Sequence, residues 1–378
     1  MIIKNGLVFN SETLRFDAKN IAVENGVISD FLYKNVNGDD VIDAKGARII
    51  PGLVDIHTHG RAGYDFDGAS ESELHTLARS YAMSGVTCVM PTIASVPLSQ
   101  MLSATDRVNR FSPADGEASF CGVHFEGRYL NPKKKGAHAE EFLAPLDASE
   151  LDAEVFRMCR AFHVSAAYEL DGDGSFMRKL HELGATASLA HTMATYEEAK
   201  LAEERGIVAY THTFNAMPPL HHRDGGAVCA ALEGDKFAEF ICDGVHISPE
   251  MMRFAYRLTT HKRAVLVTDS IEATDCADGD YSIAGCAVTV KNGRATLADG
   301  TLAGSTLNLL DAVKNLMSFC SAPLSHALIC ATANPCRTVG VYDKYGSIDI
   351  GKSADMIILQ KTGEIAVDKV IVRGTVID

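Results

Sequence analysis

Short apolar runs separated by tight turns fill the first fifty residues of the chain. The runs at residues 7–9, 21–23 and 27–28 alternate with the dipeptides Asn5-Gly6 and Asn25-Gly26. Because Asn-Gly between apolar runs is a strong local signal for a hairpin, both dipeptides predict turns between strands. This part of the chain is therefore expected to form a small β-structure.

From Gly52 onward the hydrophobic pattern changes. Apolar runs such as residues 86–90 predict buried strands, and they alternate with segments of helical period such as residues 70–84, with Ser70 as the N-cap. About eight strand–helix units fit between residues 52 and 342, and this repeat predicts a parallel sheet closed as a (β/α)8 barrel of the TIM type. A doubly wound open sheet is the alternative, although no G-x-G-x-x-G motif follows an early strand.

Near residue 343 the pattern returns to short, turn-bounded strands, which are predicted at residues 346–348, 355–359 and 370–372. We expect the two chain ends to pair with each other. The predicted α/β architecture is therefore a small, discontinuous β-sandwich domain and a catalytic barrel, with boundaries at 1–51 plus 343–378 and at 52–342.

Two segments of the predicted barrel bear on its shape. Residues 149–160 have a helical pattern, and residues 287–302 resemble a hairpin with Asn292-Gly293 as its turn. We expect this hairpin to follow the last barrel strand and to lie over the site.

Composition and charge exclude several classes of protein. The formal net charge of −14 argues against general binding to nucleic acid or to membrane surfaces, so an anionic substrate requires local cations and backbone N–H groups. The 10 cysteines are scattered without a C-x-x-C pair, and the chain start lacks the features of a signal peptide. No apolar run approaches the length of a transmembrane helix. We therefore expect a reduced, cytoplasmic protein.

Five predicted barrel strands end in side chains that bind metal ions or transfer protons. In barrels of this kind the functional groups lie at the C-terminal ends of the strands. These side chains are His57 and His59 on the first strand, Glu126 on the third, His191 on the fifth, His212 on the sixth and Asp269 on the eighth.

His57 and His59 point to the same side because side chains alternate along a strand. Taken alone, His-X-His is equally well interpreted as two polar residues at a strand end. The candidate ligands on four other strands favour a metal site. Imidazole and carboxylate groups suit divalent metal ions. We predict that Glu126, His191 and His212 hold one ion, and that His57 and His59 hold a second one with Glu126 bridging.

Asp269 is then the carboxylate placed to take a proton from a water whose pKa the metal lowers, and it is also a candidate ligand. Zn²⁺ and Fe²⁺ are the expected ions, Mn²⁺ and Co²⁺ are accepted by the same ligands, and either one or two ions fit. Among the other histidines, His138 and His246 lie just past strand ends and can face the pocket. His124 points away from Phe125, and the rest are expected in the core or at the surface.

Several motifs together resemble the amidohydrolase superfamily of metal-dependent hydrolases and, within it, the N-acetylglucosamine-6-phosphate deacetylase family. They span nearly the whole chain in the family's order: PGLVDIHTHG, HFEGRYLNPKKKGAH, AHTMATYEEAK, THTFNAMPPLHHRDGG, CDGVHI, VTDS, LAGSTLNLLDAV and NPCRTVGVYDKYGSIDIGKSADMIIL. The His-X-His motif is shared by the superfamily, whereas Glu126 followed by the KKGAH motif, and THTFNAM with its downstream arginine, are far more specific to the deacetylases.

The resemblance implies a role for each matching residue. Glu126, His191 and His212 resemble the core metal ligands, and Asp269 resembles the general base that later protonates the leaving amine. His138 resembles the residue that polarises the acetyl carbonyl. The residues that resemble the family's sugar-phosphate binding groups are Asn215, Ala216, Arg223 and His246, with Arg223 reaching across from the partner of a homodimer. A solvated loop arginine is the alternative for Arg223.

The sequence departs from the family at one position beside the pocket. Arg128-Tyr129 follows Glu126-Gly127, where the family has proline. The departure leaves the metal ligand in place and puts the sugar specificity in question. The expected reaction is hydrolysis of the N-acetyl group of N-acetylglucosamine 6-phosphate. The alternatives are N-acetylgalactosamine-6-phosphate deacetylation, another amidohydrolase acting on an N-acyl or cyclic amide, and a non-catalytic scaffold, which the complete ligand set disfavours.

Overall fold

The computed structural model describes residues 1–32, 41–361 and 363–377. In chain order, its strands are β1 (Ile2–Asn10), β2 (Arg15–Glu24), β3 (Val27–Leu32), β4 (Val41–Asp43), β5 (Arg48–Pro51), β6 (Leu53–Thr58), β7 (Gly60–Arg61), β8 (Tyr64–Asp65), β9 (Val86–Ile93), β10 (Ser119–Phe120), β11 (Val123–Glu126), β12 (Phe162–Ala166), β13 (Thr186–Leu189), β14 (Ala209–Tyr210), β15 (Phe237–Ile241), β16 (Ala264–Val267), β17 (Gly279–Ile283), β18 (Cys286–Lys291), β19 (Arg294–Thr296), β20 (Met356–Leu359), β21 (Val367–Val372) and β22 (Thr375–Ile377).

The α-helices of the described residues pack mainly around the barrel strands. They are α1 (Glu71–Met83), α2 (Leu98–Arg110), α3 (Glu154–Arg157), α4 (Ser175–Glu182), α5 (Tyr196–Arg205), α6 (Gly226–Glu233), α7 (Pro249–Arg263), α8 (Leu309–Cys320), α9 (Leu324–Ala331) and α10 (Ala333–Thr338). The N-cap predicted at Ser70 is present, since Ser70 and Glu73 form a capping box at the start of α1.

Eight parallel strands form the barrel in the order β6, β9 and β11 to β16. Backbone hydrogen bonds just beyond β16 close the ring. The Asp269 N–H donates to the His57 carbonyl at 2.9 Å, and the His59 N–H donates to the Ser270 carbonyl at 2.8 Å. The predicted (β/α)8 barrel is confirmed, and the open-sheet alternative is excluded.

Strands from both chain ends share one sheet, in the order β22-β21-β20-β5-β1-β2-β3, with β4 beside β1. The Ile28 N–H donates to the Lys352 carbonyl and the Ala354 N–H to the Gly26 carbonyl, both at 2.9 Å, so the start of β3 meets the segment before β20. The sheet thereby curls around an apolar core of its own. The predicted pairing of the chain ends is confirmed, whereas the domain boundaries stay a prediction.

The predicted hairpin is also present, with β18 and β19 joined through Asn292-Gly293. Strand β17 pairs with β18 and makes it a three-stranded sheet, which the sequence analysis did not predict. Ile283 of β17 and residues just after β19 reach the cavity above the barrel strand ends.

Three local predictions are wrong. Asn5-Gly6 lies inside β1, where the pairing with β2 shifts register and Asn5 takes a left-handed φ of 58°, so the dipeptide forms a bulge and not a turn. Residues 149–160 form the 3₁₀ helix Ala148–Asp152 and the short α3, because Ala153 between them has extended backbone angles. Residues 346–348 form no strand, although Ile348 is buried in the core of the end sheet.

Candidate active site

The barrel brings four buried imidazoles together around the carboxylate of Glu126. His212 Nε2 lies 2.8 Å and His191 Nε2 lies 3.2 Å from Glu126 Oε1. His59 Nε2 lies 3.0 Å from the other oxygen, Oε2. His57 Nε2 lies 3.4 Å from Glu126 Oε1. Glu126 at the end of β11 is therefore the centre of the cluster.

Asp269 completes one side of this cluster. Its Oδ1 lies 3.4 Å from His57 Nε2 and 3.3 Å from His59 Nε2. Two overlapping groups thus have ligand atoms within reach of one ion: Glu126, His191 and His212 form the first, and His57, His59, Glu126 and Asp269 form the second. The structure brings together the side chains that the strand ends predicted, and Glu126 is common to both groups.

Three residues of the cluster have positive φ angles, which residues other than glycine rarely adopt. The φ angles are 43° at His191, 29° at His212 and 50° at Asp269, all just beyond the ends of barrel strands. A left-handed conformation of a residue other than glycine costs on the order of 1–3 kcal/mol and persists where the surroundings fix it. Here the chain turns sharply at each strand end, and the turn aims the side chain across the mouth of the barrel.

Hydrogen bonds from Nδ1, the ring nitrogen farther from the cluster, fix the orientation of two imidazoles. His191 Nδ1–H donates to the Lys134 carbonyl at 2.7 Å, and His57 Nδ1–H donates to Glu239 Oε2 at 3.2 Å. Nδ1 of both rings is thus engaged, and Nε2 is the nitrogen that faces the cluster as a potential ligand atom.

His138 has the opposite arrangement. Its Nδ1 accepts from the Ser95 N–H at 3.3 Å, so the neutral ring carries its proton on Nε2. Nε2 lies 3.5 Å from Glu126 Oε2. Burial lowers the pKa of His138 to about 4, against the attraction of Glu126, so the ring is neutral near pH 7. His138 therefore presents an N–H donor to the cavity.

Carboxylates and imidazoles shift each other's pKa strongly in this cluster. Burial acts to lower the pKa of His57 and His59, but Glu126 and Asp269 outweigh it and raise the pKa of His59 to about 10 and that of His57 well above its usual range. Burial acts to raise the pKa of Glu126, and the imidazoles outweigh it and hold that pKa well below its usual range. Without metal, protons on His57 and His59 therefore offset the negative charge of the carboxylates. Bound metal ions can replace these protons.

The cluster has the chemistry of a divalent-metal site. His57 Nε2 is buried without a hydrogen-bond partner, and His191 Nε2 lies 3.0 Å from His212 Nε2. Two imidazole nitrogens bound to one ion at about 2.0–2.1 Å are separated by roughly this distance. In the described part of the chain no lysine or arginine pairs with Glu126 or Asp269. The residues present therefore fit one or two divalent ions.

A cavity of about 530 Å³ opens above the cluster. Asn215, Ala216 and His246 line it, and their contact with a sugar phosphate stays a prediction. His246 Nδ1–H donates to Asp243 Oδ2 at 2.7 Å, so its Nε2 is available to a ligand. Arg223 is exposed, contacts His222 and does not line this cavity. Its predicted action in a partner's site stays a prediction.

The remaining histidines lie where the sequence analysis placed them. His124 is buried below the cluster, where Nε2 lies 2.7 Å from Ser165 Oγ and the ring packs edge-on against His57. His221 and His222 are exposed in the loop before α6.

Sequence reasoning missed several residues of the site. Glu239 supports His57 from below, and its signal was a lone carboxylate in the apolar run FAEFI. Residues 133–135, three consecutive lysines, line the cavity together with Asp299 and Thr301 of the loop after β19. Loop positions such as these have no hydrophobic period that could have placed them.

Arg128 and Tyr129, the pair that departs from the family's sequence, both form hydrogen bonds with Glu150. The Arg128 guanidinium donates to Glu150 Oε1 at 3.2 Å, and the Tyr129 hydroxyl donates to Glu150 Oε2 at 3.0 Å. Neither residue lines the cavity. The positive charge of Arg128 therefore pairs with Glu150.

Comparison with known proteins decides the family. Residues 48–377 match the model of the amidohydrolase family. The chain belongs to this family. The match covers the whole barrel of this amidohydrolase and includes all of the clustered site residues.

The amidohydrolase also has relatives along most of its length. It is 32% identical over 375 residues to an N-acetylglucosamine-6-phosphate deacetylase from Vibrio furnissii, a match that covers 98% of this chain and 93% of the relative. It is 33% identical over 314 residues to an N-acetylgalactosamine-6-phosphate deacetylase from Escherichia coli O157:H7, covering 82% of this chain and 83% of the relative.

A solved structure resembles this amidohydrolase closely. It is a mutant N-acetyl-D-glucosamine-6-phosphate deacetylase from Mycobacterium smegmatis in complex with N-acetyl-D-glucosamine-6-phosphate. The match has a TM-score of 0.88 and 27% identity, and it covers 100% of this chain and 98% of that chain.

None of the helices within the described residues combines the length and the apolar character that a transmembrane span requires.

Proposed function

We propose that this amidohydrolase removes the N-acetyl group of N-acetylglucosamine 6-phosphate and yields glucosamine 6-phosphate and acetate. The observation that carries the proposal is the cluster of Glu126, His191, His212 and Asp269 below a cavity of about 530 Å³ in a chain that aligns end to end with deacetylases of that name. A cavity of this size is within the range that binds a small polar ligand.

The metal ligands are proposed from the two groups that share Glu126. Glu126, His191 and His212 would hold one ion, and His57, His59 and Asp269 would hold a second one together with Glu126. A bound divalent ion supplies Lewis acidity and lowers the pKa of water. The ligand types suit Zn²⁺ or Fe²⁺, and they also accept Mn²⁺ or Co²⁺.

Asp269 and His138 carry the proton transfers and the charge stabilisation in this proposal. Asp269, buried at the rim of the cluster, takes a proton from the attacking water and delivers it to the amine that leaves. His138 donates its Nε2–H to the acetyl oxygen as negative charge develops there. The neutral tautomer, which the Ser95 N–H fixes, is the one that this step needs.

The sugar phosphate is proposed to lie over Asn215, Ala216 and His246, with Arg223 reaching in from a partner subunit. A guanidinium binds two phosphate oxygens at once, which suits that role. A homodimer is supported by exposed apolar side chains. They include Met251, Phe254 and Leu258, spaced along one face of α7, and Leu220 in the loop that carries Arg223. Exposed apolar side chains grouped on one face are typical of an interface.

The second candidate is deacetylation of N-acetylgalactosamine 6-phosphate, which the Escherichia coli O157:H7 relative favours. The two sugars are epimers, so the same chemistry applies to both. Acetate release from each sugar phosphate, measured side by side on the metal-loaded protein, tests the proposal. We expect a higher kcat/KM for the gluco epimer, and a preference for the galacto epimer would replace the first proposal by the second.

A cytoplasmic location is part of the proposal. It is supported by the ten cysteines, none of which forms a disulfide. Unpaired cysteines persist where glutathione keeps thiols reduced.

A further inference from the structure

Glu239 is a buried carboxylate that none of the steps above uses. It lies in the middle of β15 with no exposed surface, between Ala238 and Phe240, which are equally buried. Placing a carboxylate in a barrel interior costs several kcal/mol unless hydrogen bonds and opposite charges compensate it. A side chain with this cost is expected to have a function at the site that it contacts.

Both hydrogen bonds of Glu239 go to residues of the metal cluster. Oε2 accepts from His57 Nδ1–H at 3.2 Å and from the backbone N–H of His212, also at 3.2 Å. His57 belongs to the second group of ligands and His212 to the first. One oxygen therefore braces a ligand of each proposed ion.

The contact with His212 acts on a strained backbone. His212 has a φ of 29°, and its carbonyl accepts from the Asn215 N–H at 2.9 Å. The next N–H, that of Thr213, donates to the Glu239 carbonyl at 2.8 Å. Since a strained residue persists only where its neighbours fix it, Glu239 is one of the groups that hold the turn at His212.

Charge balance adds an independent argument. Glu126, Asp269 and Glu239 contribute three carboxylates to one buried cluster, and no lysine or arginine of the described residues pairs with them. Two divalent ions would offset the negative charge of all three carboxylates.

We infer that Glu239 is a positioning residue that holds His57 for a second metal ion and links that ion's position to the first through His212. The inference rests on the proposed function only in that the cluster binds divalent ions. Carboxylates that hold the far nitrogen of a ligating histidine fix its ring and raise its basicity, and their loss typically lowers metal affinity by about 10–100-fold.

The test is a titration of the metal-free protein with Co²⁺, followed by calorimetry and by the visible absorption of bound Co²⁺. The wild type is expected to bind two ions. Glu239→Gln keeps an oxygen for the His212 N–H but loses the charge, so the second ion is expected to bind about tenfold more weakly and the first nearly unchanged. Glu239→Ala loses both contacts, and it is expected to weaken the second ion further and the first as well.

Glu203→Gln is the matched control. Glu203 is a buried carboxylate of α5 that accepts from the Tyr210 hydroxyl at 2.7 Å and contacts no residue of the cluster. Its variant is expected to bind both ions as the wild type does. If Glu239→Ala does not fold, Glu239→Asp replaces it, because the shorter side chain moves the carboxylate away from His57.

Three results would overturn the inference: a wild type that binds one ion, Glu239 variants that bind both ions with wild-type affinity, or an equal loss of both ions in Glu239→Gln. Metal binding is measured here without substrate. A protein that shows the expected Co²⁺ titrations but releases no acetate would contradict the proposed function and leave the role of Glu239 standing.

Discussion

At the scale of single residues, the site depends on which atom of each ring carries the proton. His191 and His57 donate through Nδ1 to Lys134 and Glu239, whereas His138 accepts at Nδ1 from Ser95. The first two therefore turn Nε2 to the cluster as a potential ligand atom, and the third turns an N–H to it. The same residue type can thus offer a ligand atom to a metal ion or a hydrogen-bond donor to a substrate, because its second nitrogen has different partners.

Asp269 gives the sharpest prediction at this scale. Asp269→Asn removes the group that accepts the proton, and we expect kcat to fall by about 10²–10⁴-fold, the usual range for a lost general base. The ion held by Glu126, His191 and His212 should stay bound, since that group does not include Asp269. Steady-state kinetics and metal analysis on the same sample check both parts, and turnover like that of the wild type would remove Asp269 from the mechanism.

At the scale of elements, β6 must end in the right place for His57 and His59 to reach Glu126. Thr58 lies between the two histidines and is fully buried, and its hydroxyl lies 2.5 Å from the Tyr81 hydroxyl and 2.6 Å from Ser270 Oγ. These contacts connect β6 to α1 and to the residues that close the barrel after β16.

Thr58→Val keeps the shape of the side chain and removes its hydroxyl. Because Tyr81 is also buried, we expect the free energy of unfolding to fall by about 1–2 kcal/mol. Denaturant unfolding of the metal-free proteins measures this. Thr76→Val, at an exposed position of α1, is the control and should change stability by less than about 0.5 kcal/mol. Equal stability of both variants would show that the contacts of Thr58 do not anchor β6.

Sequence reasoning succeeded where a residue follows directly from the period of an element. The strand ends at His57, Glu126, His191, His212 and Asp269 could be located because a barrel collects them at one rim. Glu239 could not be located in this way. Its contacts are with the backbone N–H of His212, beyond the end of the neighbouring strand, and with the ring of His57 across the barrel. The predicted helix at 149–160 failed because the backbone at Ala153, and not the apolar spacing, decides where the chain turns.

At the scale of the whole molecule, the proposed dimer completes the substrate site. Arg223 lies outside the cavity of its own chain, so its predicted contact with phosphate requires a second copy. Arg223→Ala is expected to lower kcat/KM for the phosphorylated sugar by about 100-fold or more, in line with a charged hydrogen-bond pair, and to affect the unphosphorylated sugar far less. Arg110→Ala, an exposed arginine on α2, is the control.

A mixing experiment separates action across the interface from action within one chain. Co-expression of Arg223→Ala with Asp269→Asn gives heterodimers in which one site combines an intact Asp269 with the Arg223 of the other chain. Activity above that of both homodimers is expected. Activity no higher than in the separate variants, in a sample shown to contain heterodimers, would place the role of Arg223 within its own subunit.

The central claim, metal-dependent deacetylation, is tested most directly by acetate release from N-acetylglucosamine 6-phosphate before and after metal removal. We expect one acetate per glucosamine 6-phosphate, loss of activity when a chelator removes the ions, and recovery when Zn²⁺, Fe²⁺, Mn²⁺ or Co²⁺ is restored to the folded protein. Full activity of protein shown to be free of metal, or no acetate from folded, metal-loaded protein, would contradict it.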